Sequence, residues 1–277
     1  MFRKMLFALM LAVAFLTACN NSSGDGADTT DDMAQFSEDQ EFKDAHDSPE
    51  ALEFAGKGQM LEFATTDDST GQAYLVAPGK LTDKVLFVIH EWWGLNDHIK
   101  KEAERLADSL DNVTVLALDL YDGKVADNPD DAGKLMQSVK PERAEAIIKG
   151  AMGQVGSNAE IATIGWCFGG GWSLKASIMA GAQAAGCVMY YGMPVQEASA
   201  LAPLRTEVLG IFAEKDGWIT PEVVNNFEEL AEKTNKEVTT HQFDADHAFA
   251  NPSNPNYDKE AAEKANALAL DFLKEKL

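Results

Sequence analysis

The chain has 277 residues, 45% of them hydrophobic, which is enough for one large α/β domain or two small ones around a sizeable core. With 45 acidic against 23 basic residues the net charge is −22. That argues against nucleic acid as a partner, because phosphate contacts need clustered Lys and Arg, and it fits a soluble, self-repelling surface.

The first element is a leader. "MFRKMLFALMLAVAFLTAC" carries a basic start (Arg3, Lys4) and an apolar stretch from Met5 to Leu16, too short to be a membrane span. Residues 1–18 are therefore expected to be a signal peptide. The stretch ends in Leu16-Thr17-Ala18-Cys19, which resembles a bacterial lipobox. That resemblance implies cleavage before Cys19, acylation of Cys19, and a protein lipid-anchored in the cell envelope and facing the periplasm. Asn20 after the cysteine, by resemblance to enteric lipoprotein sorting, implies the outer membrane. Residues 19–54 are acidic, with few aliphatics, and read as a disordered tether.

From residue 55 to 277 the pattern is one α/β domain. "QMLEFAT" and "QAYLVAP" read as a hairpin turning at "DDSTG". "KVLFVIH" is a continuous apolar run, the mark of a strand covered on both faces. A helix follows over 97–110, with Ile99, Ala103, Leu106 and Leu110 on one face. Next come strand "VTVLAL", a helix opened by Pro141, strand "EIATIG", a glycine turn and the helix "GGGWSLKASIMA". "AGCVMYYG" and "EVLGIFA" are further strands. Thr220 caps a helix with Pro221 at its first position, "EVTTHQF" is the last strand, and a closing helix places Ala261, Ala265, Leu268 and Phe272 on one stripe. Repeated strand–helix units predict a mostly parallel sheet with helices on both faces and sites at the strand C-terminal ends.

The chemistry gathers at three of those ends. Gly165-Trp166-Cys167-Phe168-Gly169 has the form G-x-C-x-G between a strand and a helix, the thiol version of a nucleophile elbow. No G-x-S-x-G occurs in the chain. A thiol at an accessible helix start favours its thiolate; a buried thiol in a tight turn is the bland alternative. A nucleophile needs a base and an orienter, and the order nucleophile, acid, histidine is met by Asp216 and His247, each just past a strand. His46, lying in the tether, and His90, His98 and His241 suit the role less well. The residues offer no specific metal-ligand spacing, and no cofactor is expected. Cys187 lies inside its strand and Cys167 beyond the end of its own, so the two are expected to stay unpaired.

Taken together, "VIHEWWGLN", "LALDLYDG", "GWCFGG", "YYG", "AEKDGWIT" and "DHAFANP" resemble the dienelactone hydrolase family of the α/β-hydrolase superfamily, over roughly residues 57–277. The resemblance implies an α/β-hydrolase fold and a Cys167–Asp216–His247 triad. It also implies that Glu91 helps form the thiolate and that the backbone N–H groups of Trp92 and Phe168 make an oxyanion hole. Trp93 and Tyr191 are candidate pocket residues. The family's two substrate-binding arginines are replaced here, one near Lys124 and one by Asn251, so a carboxylate clamp is not expected. The reading is a cysteine-nucleophile hydrolase of small esters or lactones. The alternatives are an idle hydrolase scaffold that binds a ligand at the envelope, or a thioesterase or peptidase with the same triad.

Overall fold

The computed structural model describes residues 32–277; the expected signal peptide and Cys19 lie outside them. Eight strands form one sheet: β1 (Gln59–Ala64), β2 (Thr70–Val76), β3 (Lys84–Ile89), β4 (Thr114–Asp119), β5 (Glu160–Trp166), β6 (Ala184–Tyr190), β7 (Val208–Ala213) and β8 (Val238–Phe243). Their spatial order is β1-β2-β4-β3-β5-β6-β7-β8. The β1–β2 hairpin and the β2–β4 pair are antiparallel, and every later neighbour is parallel. The central strands read as unbroken apolar runs because helices cover both faces: all six residues of β4 and of β7 are buried.

The helices are α1 (Gln40–Asp44), α2 (Asp97–Ser109), α3 (Pro129–Ser138), α4 (Pro141–Val155), α5 (Phe168–Ala180), α6 (Ala198–Leu201), α7 (Pro221–Thr234) and α8 (Lys259–Lys276). Helix α2 buries the expected face, Ile99, Ala103 and Leu106, and Asn96 caps it. The Thr220 side chain accepts from the Val223 N–H at the start of α7, as expected. The stripe on α8 differs by one position: Ala262, Ala265, Ala269 and Leu273 are buried, with Ala261, Leu268 and Phe272 on its flanks. Alanine on the contact line lets a helix approach its neighbours closely, so the bulky residues are displaced to the sides. Helix α3 was not anticipated, although Asn128 caps it, Pro129 opens it and Ala132, Gly133 and Met136 are buried. A three-residue apolar face is too short to stand out as periodicity.

The largest departure is at the N-terminal side. The acidic stretch expected to be part of a disordered tether is ordered from residue 32. A 3₁₀ turn (Asp32–Phe36) leads into α1, and Met33 and Phe42 are fully buried. Asp39 caps α1, accepting from the N–H groups of Glu41 and Phe42, and its other oxygen accepts the Trp218 indole N–H at 3.0 Å. Composition marks this segment as polar, but three or four aromatic and apolar anchors suffice when distant elements supply the receiving surface.

Candidate active site

Strand order explains how the site assembles. β3 lies directly beside β5, with Ile89 opposite Gly165, so the turn after β3 (His90-Glu91-Trp92) is carried next to Cys167. β7 lies beside β8, with Ala213 opposite Phe243, so Asp216 and His247, a few residues past those positions, meet. His90 is a structural clamp: its ring Nδ1 lies 2.6 Å from the Glu91 carbonyl oxygen, and its Nε2 accepts the Leu120 N–H. It joins the ends of β3 and β4, and its ring stacks on Phe168 at 5.6 Å.

Cys167 sits at a sharp turn with φ 54° and ψ −117°, a strained conformation for a residue with a Cβ. Two glycines make the turn possible. A Cβ on Gly165 would fall on the carbonyl oxygen of Gly169, and a Cβ on Gly169 would fall on the carbonyls of Ile89 and His90. The turn is pinned by the Cys167 N–H donating to the Tyr190 carbonyl and by the Gly170 N–H donating to the Cys167 carbonyl. α5 begins at the next residue, so the thiol lies at its N-terminus. Cys187 is a free buried thiol on β6, where Ser173 contacts its sulfur; the two cysteines are unpaired, as expected.

Asp216 and His247 form a tight pair, with Nδ1 to Oδ2 at 2.6 Å. The other carboxylate oxygen of Asp216 accepts from the N–H groups of Trp218 and Ile219, both at 2.9 Å. Burial pushes the Asp216 pKa up, but the His247 charge and these hydrogen bonds outweigh it, and the carboxyl ends below its ordinary value. Burial lowers the His247 pKa, yet the Asp216 charge and hydrogen bond carry it up to about 10. The Cys167 thiol is raised by burial, an effect countered by the hydrogen bond and charge it shares with His247. The thiol and the imidazole raise and lower each other's proton affinity in the sense of a thiolate–imidazolium pair: Cys167 raises the His247 pKa and His247 lowers that of Cys167.

Glu91 is buried and its pKa is pushed up to about 7, with the His247 charge and the Asn251 hydrogen bond pulling the other way. Asn251 Nδ2 donates to Glu91 Oε2 at 2.7 Å, while its side-chain oxygen accepts from the N–H and hydroxyl of Ser253. The amide expected as a pocket residue is thus occupied in holding Glu91. A cavity of about 360 Å³ lies against this pair, lined also by Trp166, Arg105 and Pro252. Trp92 and Trp93 are buried and pack on one another, and the Trp92 amide N–H donates to no protein group among the described residues. Tyr191, just past the end of β6 with φ 32°, holds its ring tilted against His247 at 5.1 Å between centroids. Its hydroxyl and the Trp92 indole N–H are buried without hydrogen-bond partners among the described residues. Lys124 stands apart: it is exposed and lines a separate cavity of about 160 Å³ with Asp122, Lys140 and Arg143. Lys124 does not line the cavity beside Glu91 and Asn251.

The second correction concerns access. The thiol was expected at an accessible helix start, but Cys167 and His247 are each 1% exposed and Asp216 is 3% exposed. The residues that close over His247 include Phe42 and His46, which the sequence assigned to the tether and away from the site. Their only signal in the sequence is aromatic character within an acidic run. No group of three or more His, Cys, Asp or Glu placed to hold a metal occurs among the described residues.

The eight-stranded, mostly parallel sheet with a sharp strand-to-helix turn at Cys167 after β5, Asp216 after β7 and His247 after β8 has the α/β-hydrolase arrangement. The family model described as "Dienelactone hydrolase family" matches residues 72–277, and the chain belongs to that family. It is similar to "Protein usf" of Aquifex pyrophilus (30% identical, covering 79% of this chain and 99% of the relative). It is also similar to "Carboxymethylenebutenolidase 1" of Cupriavidus pinatubonensis (26% identical, covering 77% and 95%). Among solved structures, a dienelactone hydrolase-like promiscuous phosphotriesterase from metagenomic libraries superposes with a TM-score of 0.67 at 22% identity, covering 80% of this chain and 99% of that one. The last of these is a likeness of fold.

Proposed function

We propose that the protein hydrolyses small esters or lactones through a Cys167 nucleophile. The observation that carries this is the Asp216–His247 pair at 2.6 Å beside a strained elbow cysteine. In this reading the Cys167 proton passes to His247 Nε2, and the thiolate sulfur attacks the acyl carbon. The negative oxygen that develops is received by the Trp92 and Phe168 N–H groups. The imidazolium returns its proton to the departing alkoxide, which leaves a thioester. His247 then takes a proton from water, the hydroxide attacks the thioester, and the thiolate leaves as the acid is released. Asp216 orients the imidazole and stabilises its charged form. Glu91, half-protonated near pH 7, eases thiolate formation when neutral and opposes it when ionised.

Neutral acyl groups fit best, because Asn251 is tied to Glu91 and Lys124 faces another cavity. The relatives named carboxymethylenebutenolidase support ester or lactone chemistry here. The deciding measurement is hydrolysis of a matched neutral and anionic ester pair by the wild type and by Cys167→Ala. Activity on the neutral ester that vanishes in the variant supports the reading. Activity that survives Cys167→Ala, or no turnover of any ester while the protein binds one, would replace it.

We further propose that the chain is exported, cleaved before Cys19 and lipidated there, as the Leu16–Cys19 motif implies. Two acyl chains give stable anchoring, where a single one is marginal. Intact-mass analysis of membrane-extracted protein tests this; an unmodified Cys19 or a different N-terminus rejects it.

A further inference from the structure

Residues 32–46 lie before the part of the chain shared with the family, which begins at residue 72. They nevertheless reach the candidate catalytic centre. The Phe42 ring packs edge-on against Trp92 at 5.1 Å and against Trp218 at 5.0 Å, and lies 5.7 Å from the His247 ring. The His46 ring stands 4.8 Å from Trp92 and 5.6 Å from His247. Both side chains are buried, and the 3₁₀ turn preceding them packs on α3 and on α5, the helix that starts beside the nucleophile.

Beyond the buried Met33 and Phe42, the segment is tied by side-chain contacts of a kind that can be undone together. No strand of it joins the sheet. Asp39 holds Trp218 by one hydrogen bond, Lys43 pairs with Asp130 at 3.1 Å, and the Asn254 amide reaches the Ala45 carbonyl only at 3.5 Å. The Ser37 carbonyl rests against Gly133, where a Cβ would come within 2.6 Å of it. α1 has five residues, too short to be stable away from its packing surface. A segment with an aromatic plug and light polar ties belongs to the low-stability end of a fold, the part that opens locally while the core stays folded. Closure of such a segment shields the thiol from bulk solvent, and its opening admits substrate and the water that hydrolyses the acyl-enzyme.

We infer that Asp32–His46 is a lid over Cys167 and His247, with Phe42 as its plug, and that it must lift before an ester reaches the thiol. The lid also shapes specificity. An acyl group short enough to fit beneath Phe42 and His46 can react with the lid closed again, whereas a longer one must hold it open. The catalytic meaning of the lid rests on Cys167 being the nucleophile; the gating of the thiol does not.

The test reads the thiol directly. The full chain is treated with iodoacetamide under pseudo-first-order conditions, and alkylation of Cys167 is followed by peptide mass spectrometry in the wild type, Phe42→Ala and Asp39→Asn. The lid predicts at least a tenfold faster alkylation in both variants, with far-UV circular dichroism unchanged. Rates within twofold of the wild type in either folded variant would overturn it and direct access through the cavity beside Glu91 and Asn251. If Phe42→Ala misfolds, Asp39→Asn, which removes one surface-side hydrogen bond, still decides. Hydrogen exchange of the wild type supplies an arm that needs no variant. Amides of Phe42–Ala45 should exchange at least a hundredfold faster than those of β5, and equal protection counts against a lid. Faster alkylation with no hydrolysis of any ester would leave the lid standing and remove the hydrolase reading; hydrolysis with unchanged alkylation would do the reverse.

Discussion

Asp216 and His247 are joined by a 2.6 Å contact while the remaining oxygen of Asp216 is held by the Trp218 and Ile219 amides, so the imidazole is oriented by a carboxylate that cannot itself rotate. Replacing Asp216 with Asn keeps the shape but removes the charge. The expected outcome is a folded protein with kcat/KM reduced roughly 10²–10⁴-fold. NMR titration should also show the His247 pKa falling from about 10, because burial is then opposed by Cys167 alone. A variant with unchanged kinetics would assign the pair a purely structural role.

The elbow makes a prediction about stability rather than rate. Gly165→Ala places a methyl group on the Gly169 carbonyl, so backbone must move, at a cost of about 1–3 kcal/mol or more. Gly153→Ala, on the open side of α4, meets nothing within 4 Å and should stabilise by up to about 1 kcal/mol. Urea denaturation of the two variants should move the midpoints in opposite directions. Equal shifts would mean the turn relaxes without penalty.

Glu91 and Asn251 set the charge beside the thiol. The Asn251 hydrogen bond favours the ionised carboxylate, so Asn251→Leu should raise the Glu91 pKa above about 7. An ionised Glu91 raises the Cys167 pKa. Glu91→Gln should therefore move the pH of half-maximal Cys167 alkylation downward. A shift upward would make Glu91 the thiol's proton acceptor and displace His247 from that step.

His46 ties lid closure to pH. Burial and the nearby His247 charge lower its pKa from 6.5 to about 3, against the Phe42 carbonyl and Asp216, which act the other way. The closed form therefore binds fewer protons than the open form. The stability it contributes is complete above about pH 6.5 and is lost progressively as pH falls toward 3. The wild type should lose Tm relative to His46→Gln between pH 7 and pH 5, with the difference constant above pH 7.5. A difference that stays flat across the whole range would show that His46 is not buried in solution.

How much of this was legible beforehand follows from the range of each interaction. Buried parallel strands announce themselves as apolar runs because both faces are covered, so β3, β4, β5 and β7 were readable one by one. The G-x-C-x-G turn was readable because a strained backbone admits so few residue types. Cys167, Glu91, Asp216 and His247 could each be placed at a strand end by counting along the chain. Their meeting required the order β3-β5 and β7-β8, which only the folded sheet decides. The part that could not be read is the packing of short segments against distant surfaces. Phe42 and His46 sit among acidic residues, and their partners Trp92, Trp218 and His247 lie about 50 to 200 positions away. Local composition predicts solvation for such a stretch. The gain from burying one phenylalanine between two tryptophans exists only once β3 and β7 have brought those rings together. The sequence by itself determined the mostly parallel strand–helix pattern and which candidate residues stand at strand ends, because both depend on neighbours in the chain. The tertiary structure decided that the thiol is covered, that Asn251 holds Glu91 and that Lys124 stands elsewhere, because each depends on which distant surfaces meet.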